Sequence, residues 1–286
     1  MNMTRRALLK GAAVGLAGGV LLPRSGLRCF AAKTPAVKIK IGSCVIGLAD
    51  ARRAGLDGAE IGVGNAADKL QVADPAVRQK YKDQMKETGL VISSFMMGLL
   101  NSNPLASDPR GPAWLEQSID AAKDLGAKVI LVAFFGKGSL LEGKKVKTAD
   151  VDVVVERLKA AAPRAKEAGV ILAIENTLNA KQNAEILDRI GSPAVGIYYD
   201  VGNLTGMGYD VPAEIRFLKE RIAIFHFKDG RNYLGEGKVQ YKPIAEAMRA
   251  IGYQGWVVLE TSNPSRDGVA DARRNAAFIR KLFGLE

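Results

Sequence analysis

From position 38 onward the hydrophobic residues follow two alternating rhythms. Runs of six or seven residues dense in Val, Ile and Phe give way to longer stretches in which apolar positions recur every three or four residues. The first rhythm predicts buried strands and the second amphipathic helices, and their alternation predicts a parallel sheet with helical crossovers. Eight strands are expected, at Lys38–Ser43, Asp57–Val63, Leu90–Met96, Lys128–Phe134, Val170–Glu175, Val195–Asp200, Ala223–Lys228 and Gly255–Glu260. Helices are expected at Pro112–Leu125, Val151–Ala168, Ala180–Ile190, Pro212–Lys219, Lys242–Ile251 and Val269–Phe283, among others. Glycine follows a helical stretch at Gly55, Gly89, Gly126, Gly169, Gly191 and Gly252, where a left-handed cap turns the chain into the next strand. Eight such units in about 250 residues fit an α/β fold of one domain, the (β/α)8 TIM barrel. The Gly-rich phosphate loop that opens a doubly wound sheet does not follow the first strand.

Composition changes this picture at the N-terminus. With 48% hydrophobic residues in 286, the chain can bury a large core. Residues 1–32 resemble a twin-arginine export signal: Arg5 and Arg6 follow Thr4, Leu8, Leu9 and Lys10 come next, and a Gly- and Ala-rich apolar run extends from Gly11 to Leu22. The resemblance implies passage through the twin-arginine export machinery, cleavage near Ala32, and a periplasmic barrel domain over residues 33–286. A basic N-terminal arm or an uncleaved anchor is the alternative. Nearly half of the formal charge of +11 is local, because Arg5, Arg6, Lys10, Arg24 and Arg28 supply five of it, no acid lies in residues 1–32, and +6 is left on the rest. Lys144, Lys145 and Lys147 fall in an expected loop without interleaved aromatics. They read as a solvated face, and nucleic acid is not expected as a partner. Removing Cys29 with the signal leaves Cys44 alone, so no disulfide is available and a buried structural thiol is expected.

In a TIM barrel the chemistry sits at the C-terminal strand ends and in the loops that follow them. The fifth strand ends in Glu175, the sixth in Asp200 and the eighth in Glu260, and the seventh carries His226, the single histidine of the chain. These residues are 25, 26 and 34 positions apart, each about one β/α unit, so all four can stand on one rim. Three carboxylates and one imidazole suit a divalent ion, Mn2+, Mg2+ or Co2+ in preference to Zn2+. Asp200 and Glu260 could instead be helix caps, a common use of an acid at a strand end. Lys228 shares the inward face with His226 by strand alternation. Asn203, Arg231 and Glu236 lie in expected loops as candidate substrate contacts, Glu60 near the end of the second strand is a further one, and Met97–Arg110 is long enough to cover a pocket.

Ile174-Glu175-Asn176, Asp200-Val201-Gly202-Asn203, His226-Phe227-Lys228-Asp229, Gly235-Glu236-Gly237 and the ending Gly252–Glu260 resemble the xylose-isomerase-like superfamily of sugar phosphate isomerases and epimerases, over residues 38–286. The resemblance implies that Glu175, Asp200, His226 and Glu260 bind a metal and that the two glutamates act as acid and base. The chain departs from the related ketose 3-epimerases at Asn203, where they carry a substrate-binding histidine, and in the spacing of Arg231. One histidine is too few for the extra catalytic histidine of xylose isomerase or the multi-histidine zinc site of endonuclease IV. The expected activity is isomerisation or epimerisation of a small carbohydrate or keto sugar by proton transfer through an enediolate. The same site could serve a dehydratase or lyase acting on a 3-keto sugar or glycoside, or an exported non-catalytic sugar-binding barrel. A homo-oligomer is compatible with all three.

The export reading predicts that Arg5→Lys combined with Arg6→Lys retains the protein in the cytoplasm, as fractionation and immunoblotting would reveal. Unchanged export of the double variant through the general secretion route would remove the twin-arginine assignment.

Overall fold

Eight parallel strands form a nearly closed barrel in the computed structural model, which describes residues 38–285. The twin-arginine pattern and Cys29 lie outside the described residues. The strands are β1 (Ile39–Ser43), β2 (Gly58–Gly62), β3 (Val91–Met97), β4 (Val129–Ala133), β5 (Ile171–Glu175), β6 (Val195–Asp200), β7 (Ile222–Phe227) and β8 (Gly255–Leu259). Each coincides with an expected run to within a residue or so at either end. Hydrogen-bonded neighbours run β1-β8-β7-β6-β5-β4-β3-β2. The helices are α1 (Leu48–Ala54), α2 (Pro75–Thr88), α3 (Gly111–Leu125), α4 (Thr148–Ala168), α5 (Ala180–Ile190), α6 (Val201–Gly206), α7 (Val211–Leu218), α8 (Tyr241–Ala250) and α9 (Gly268–Phe283). Among the described residues no helix is long and apolar enough to cross a membrane.

Local chemistry explains why the elements stop where they do. The six glycines expected to end helices all have φ between 66° and 75°. An L-residue pays roughly 1 kcal/mol or more in that conformation, so the glycines fix the turn into each strand. Helix α5 shows both ends: Asn179 and Gln182 form a reciprocal capping box at its start, and Gly191 adopts the left-handed cap at its end.

Alternation along each strand separates two cores. Ile130, Val132, Leu172, Ile174, Ile197, Phe225, Val257 and Leu259 point outward and pack beneath the helices. Their neighbours Val129, Leu131, Ala133, Ala173, Tyr198, Ile224 and Val258 point inward and fill the barrel. Trp256 plugs the lower interior, and the absent side chains of Gly42 and Gly58 make room for it: a Cβ on Gly58 would lie 2.9 Å from the indole. Continuing the inward series by two residues gives Glu175 after Ala173, Asp200 after Tyr198, His226 after Ile224 and Glu260 after Val258. The apolar plug therefore forms the floor on which the polar residues stand.

Two register slips adjust this arrangement. Ala59 pairs with Ile92 but Glu60 with Ser94, and Ile197 pairs with Ile222 but Tyr198 with Ile224. The extra residues, Ser93 and Ala223, bring Ser94 level with Glu60 and His226 level with Asp200.

The ring closes at β1 and β2 through one residue. Asp57 donates its backbone N–H to the Ile41 carbonyl at 2.9 Å, and its carboxylate accepts the Ile41 N–H at 2.8 Å. A side chain here replaces part of a strand ladder. Asp57→Ala leaves the Ile41 N–H without its acceptor and should lower stability by about 1–2 kcal/mol in urea denaturation. Asp57→Asn, which keeps an acceptor oxygen, should retain most of the stability; equal losses in both variants would refute the seam role.

Candidate metal centre

Glu175, Asp200, His226 and Glu260 converge at the C-terminal mouth of the barrel, each offering a ligand atom within 4.8 Å of the others. His226 Nδ1 lies 3.3 Å from Glu175 Oε1, 3.4 Å from Glu260 Oε2 and 3.9 Å from Asp200 Oδ2. His226 and the Asp200 side chain are shut off from solvent, Glu175 is nearly so, and about a third of the Glu260 side chain is exposed. The cluster thus opens to solvent at Glu260.

The cap alternative for Asp200 turns out to coexist with a ligand role, because a carboxylate has two oxygens. Asp200 Oδ1 accepts the Asn203 backbone N–H at 2.7 Å and caps α6. Asp200 Oδ2 faces the cluster, 2.9 Å from Lys228 Nζ but outside hydrogen-bonding alignment, and it has no other donor. Glu260 caps no helix, since α9 is capped by Asp267.

Lys228 turns its ammonium into the cluster, although 22% of its side chain stays exposed. Its Nζ donates to Glu260 Oε2 at 2.6 Å and balances both Glu260 and Asp200. The chain of β6–α6 crosses directly over it, and a Cβ on Gly202 would lie 2.5 Å from Lys228 Cγ, so only glycine fits there. Asn203 Nδ2 approaches Glu175 Oε1 at 3.5 Å, which joins that expected contact to the cluster.

Crowding sets the electrostatics. Burial, reinforced by the neighbouring Glu175, pushes the Asp200 carboxyl up to about 8. Burial likewise raises Glu175, with the positive His226 opposing. Burial also acts on Glu260, but His226 and Lys228 together outweigh it and hold this carboxyl below its usual range. For His226 burial disfavours the charge, while Glu60 and Glu175 overcome it and raise the imidazole well above its ordinary value. An under-bonded buried carboxylate oxygen beside two further carboxylates and an imidazole nitrogen fits a divalent cation in both charge and donor type.

The remaining expected contacts go elsewhere. Glu236 lies on the surface, 2.5 Å from Arg274, and Arg231 is exposed on the loop after β7. The Gly235-Glu236-Gly237 motif has a different purpose: buried Asp229 accepts the backbone N–H groups of Gly235, Gly237 and Val239 at 3.1, 2.9 and 3.0 Å. A Cβ on Gly237 would fall 2.2 Å from that carboxylate, so the glycine lets the loop wrap around it. The segment Met97–Arg110 is pinned rather than free, with Leu100 and Leu105 fully buried and Arg157 bonded to the carbonyls of Leu105 and Asp108. Beside the cluster lies a cavity of about 440 Å³ bordered by Asn203, Lys228, Asn232 and Lys238.

Sequence reasoning missed Ser94 and Tyr198 and ranked Glu60 low. Glu60 is 95% buried, its Oε1 lying 3.1 Å from His226 Nε2 and its Oε2 accepting from Ser94 at 2.6 Å and Tyr198 at 2.8 Å. The available signal was a carboxylate inside an otherwise apolar strand. Cys44, expected to be buried, is half-buried; its sulfur lies within 4.8 Å of Glu60 and His226 ligand atoms, a second group that could hold an ion, and burial pushes its thiol up to about 11.

Fold and sequence together place the chain in a family: residues 48–282 match the model of the xylose isomerase-like TIM barrel, and the chain belongs to that family. Among its relatives is an L-ribulose-5-phosphate 3-epimerase of Escherichia coli strain SMS-3-5, 24% identical over 80% of this chain and 86% of that protein. An inosose dehydratase of Geobacillus thermodenitrificans strain NG80-2 is 26% identical over 68% of this chain and 77% of that one. The crystal structure of the 3-keto-D-glucoside 4-epimerase of E. coli shares the fold with a TM-score of 0.71 at 18% identity, covering 86% of this chain and 99% of that chain.

Proposed function

We propose that this chain is a metal-dependent sugar epimerase or isomerase that moves a proton next to a carbonyl. The observation that carries the reading is the placement of two glutamates, from strands separated by β6 and β7, with Asp200 and His226 in one cluster less than 5 Å across. A divalent ion held by Glu175, Asp200, His226 and Glu260 would polarise vicinal substrate oxygens and acidify the intervening C–H.

The protein's own groups do the rest. One glutamate takes the proton from the carbon beside the carbonyl, leaving a planar enediolate, and the other returns a proton. Return to the opposite face of the same carbon inverts it, whereas return to the neighbouring carbon exchanges aldose and ketose. Lys228 and Asn203 stand against the cluster carboxylates, where their N–H donors can orient substrate hydroxyls and face developing negative charge.

Elimination is the second reading, favoured by the match to a protein named as an inosose dehydratase. It starts from the same enediolate and differs in expelling a β-substituent. Export of the folded barrel to the periplasm remains our proposal from the Thr4–Lys10 pattern.

Two experiments test this function. His226→Ala and Asp200→Ala should fold yet bind Mn2+ more than about 100-fold more weakly, beyond the loss typical of removing an outer supporting group. Stoichiometric ion in both purified variants would place the metal elsewhere. In D2O, turnover of a keto sugar should put deuterium on the carbon beside the carbonyl, and Glu175→Gln or Glu260→Gln should slow it by about 10²–10⁴-fold. Release of water or an aglycone in the same NMR spectra selects elimination. Turnover without label, or at full rate in either Gln variant, would sink the two-glutamate mechanism.

A further inference from the structure

The mouth of the barrel leaves one buried carboxylate unused by the mechanism above. Glu60 contributes to none of the contacts among Glu175, Asp200 and Glu260, and it lies on the other side of the imidazole. Its Oε2 is occupied by two hydroxyl donors, Ser94 Oγ at 2.6 Å and Tyr198 Oη at 2.8 Å. Its Oε1 faces His226 Nε2 at 3.1 Å. An ionised carboxylate can only accept hydrogen bonds, so a bond between Glu60 and Nε2 requires the proton to be on Nε2. In neutral imidazole the remaining nitrogen then carries a lone pair. That nitrogen, Nδ1, is the one surrounded by Glu175, Glu260 and Asp200 at 3.3, 3.4 and 3.9 Å. A lone pair aimed among three carboxylate oxygens is unfavourable unless a cation lies between them.

The backbone is built for this contact. The register slip at Ala59/Glu60 sets Ser94 level with Glu60, and Tyr198 packs its ring against the imidazole with centroids 4.3 Å apart, which restricts rotation of His226. Four strands therefore contribute to the placement of one ring: β2, β3, β6 and β7.

We propose that Glu60 is a positioning residue: clamped by Ser94 and Tyr198, it takes the Nε2–H of His226 and turns the Nδ1 lone pair toward Glu175, Asp200 and Glu260, thereby setting the affinity of the centre for its ion. The inference rests on the metal reading above. It follows the general behaviour of ligating histidines, whose second nitrogen is oriented by a carboxylate at a 10–100-fold effect on affinity.

The single histidine of the chain makes the test direct, because ¹⁵N-histidine labelling of protein purified without a histidine tag reports one imidazole. With Zn2+ added to the full-length protein, long-range ¹⁵N–¹H spectra should show the proton on Nε2 and the ion-induced shift on Nδ1. Glu60→Leu should bind Mn2+ about 10–100-fold more weakly, read from the EPR signal of the free ion, and Glu60→Gln, which keeps an acceptor oxygen, should recover part of the loss. Should the unaltered protein bind neither ion, the metal reading fails and this inference with it. A wild-type protein that binds Zn2+ through Nε2, or a folded Glu60→Leu with undiminished Mn2+ affinity, overturns the role of Glu60 alone. The spectrum of the unaltered protein decides the tautomer even where a Glu60 variant fails to fold.

Discussion

Three carboxylates share a space less than 5 Å across at the end of the barrel, and much of the surrounding structure answers their mutual repulsion. Two like charges 4 Å apart cost about 4 kcal/mol at an effective dielectric of 20, so such a cluster survives by keeping protons, as the raised Asp200 and Glu175 carboxyls do, or with positive charge beside it. Lys228 supplies a permanent share by spanning Asp200 and Glu260, and it is held in place by a loop that passes over its stem at Gly202. A second share comes either from a proton on His226, which the neighbouring carboxylates favour, or from a divalent ion taking that proton's place. Three carboxylates and one imidazole are donors that suit a hard cation better than a soft metal seeking thiolates.

Strand alternation lets so costly a cluster exist in a stable protein. Each polar residue of the centre is the next inward position after an apolar one, so the floor of Ala173, Tyr198, Ile224 and Val258 packs tightly and the charges gather only where the barrel opens. Trp256 below fills the space that Gly42 and Gly58 leave. Between floor and rim lies a polar layer, Glu60 with Ser94 and Tyr198, in which all of the hydroxyl and carboxylate contacts are made within the protein. Burial without orphaned partners makes that layer rigid rather than expensive.

The strand runs, the helix-ending glycines and the four residues on successive strand ends were all legible in the sequence, because each follows from a local rule of period or position. What could not be read depends on register. The slips opposite Ser93 and Ala223 have no marker in the residues themselves, and they decide that Ser94 meets Glu60 and that His226 stands level with Asp200. Loop residues were the other gap. Arg231 and Glu236 follow a strand as a binding residue would, yet the loop is shaped by Asp229 and its three backbone donors, which turn Glu236 outward to Arg274. Asp200 was read as either a cap or a ligand; its two oxygens make the choice unnecessary.

The loop around Asp229 is tied to its own carboxylate and to α9, where Asn275 accepts the Leu234 N–H and Asp271 accepts from Tyr233. The Asp229 carboxylate and two glycines shape its turn, and none of Glu175, Asp200, His226 and Glu260 belongs to it. Its outer positions, among them Asn232 and Lys238, border the cavity without supporting the barrel. The four clustered residues and the cavity wall are thus separately mutable. A lineage, or a library built by an engineer, can vary the cavity wall through those positions while the clustered charges stay where the strands put them.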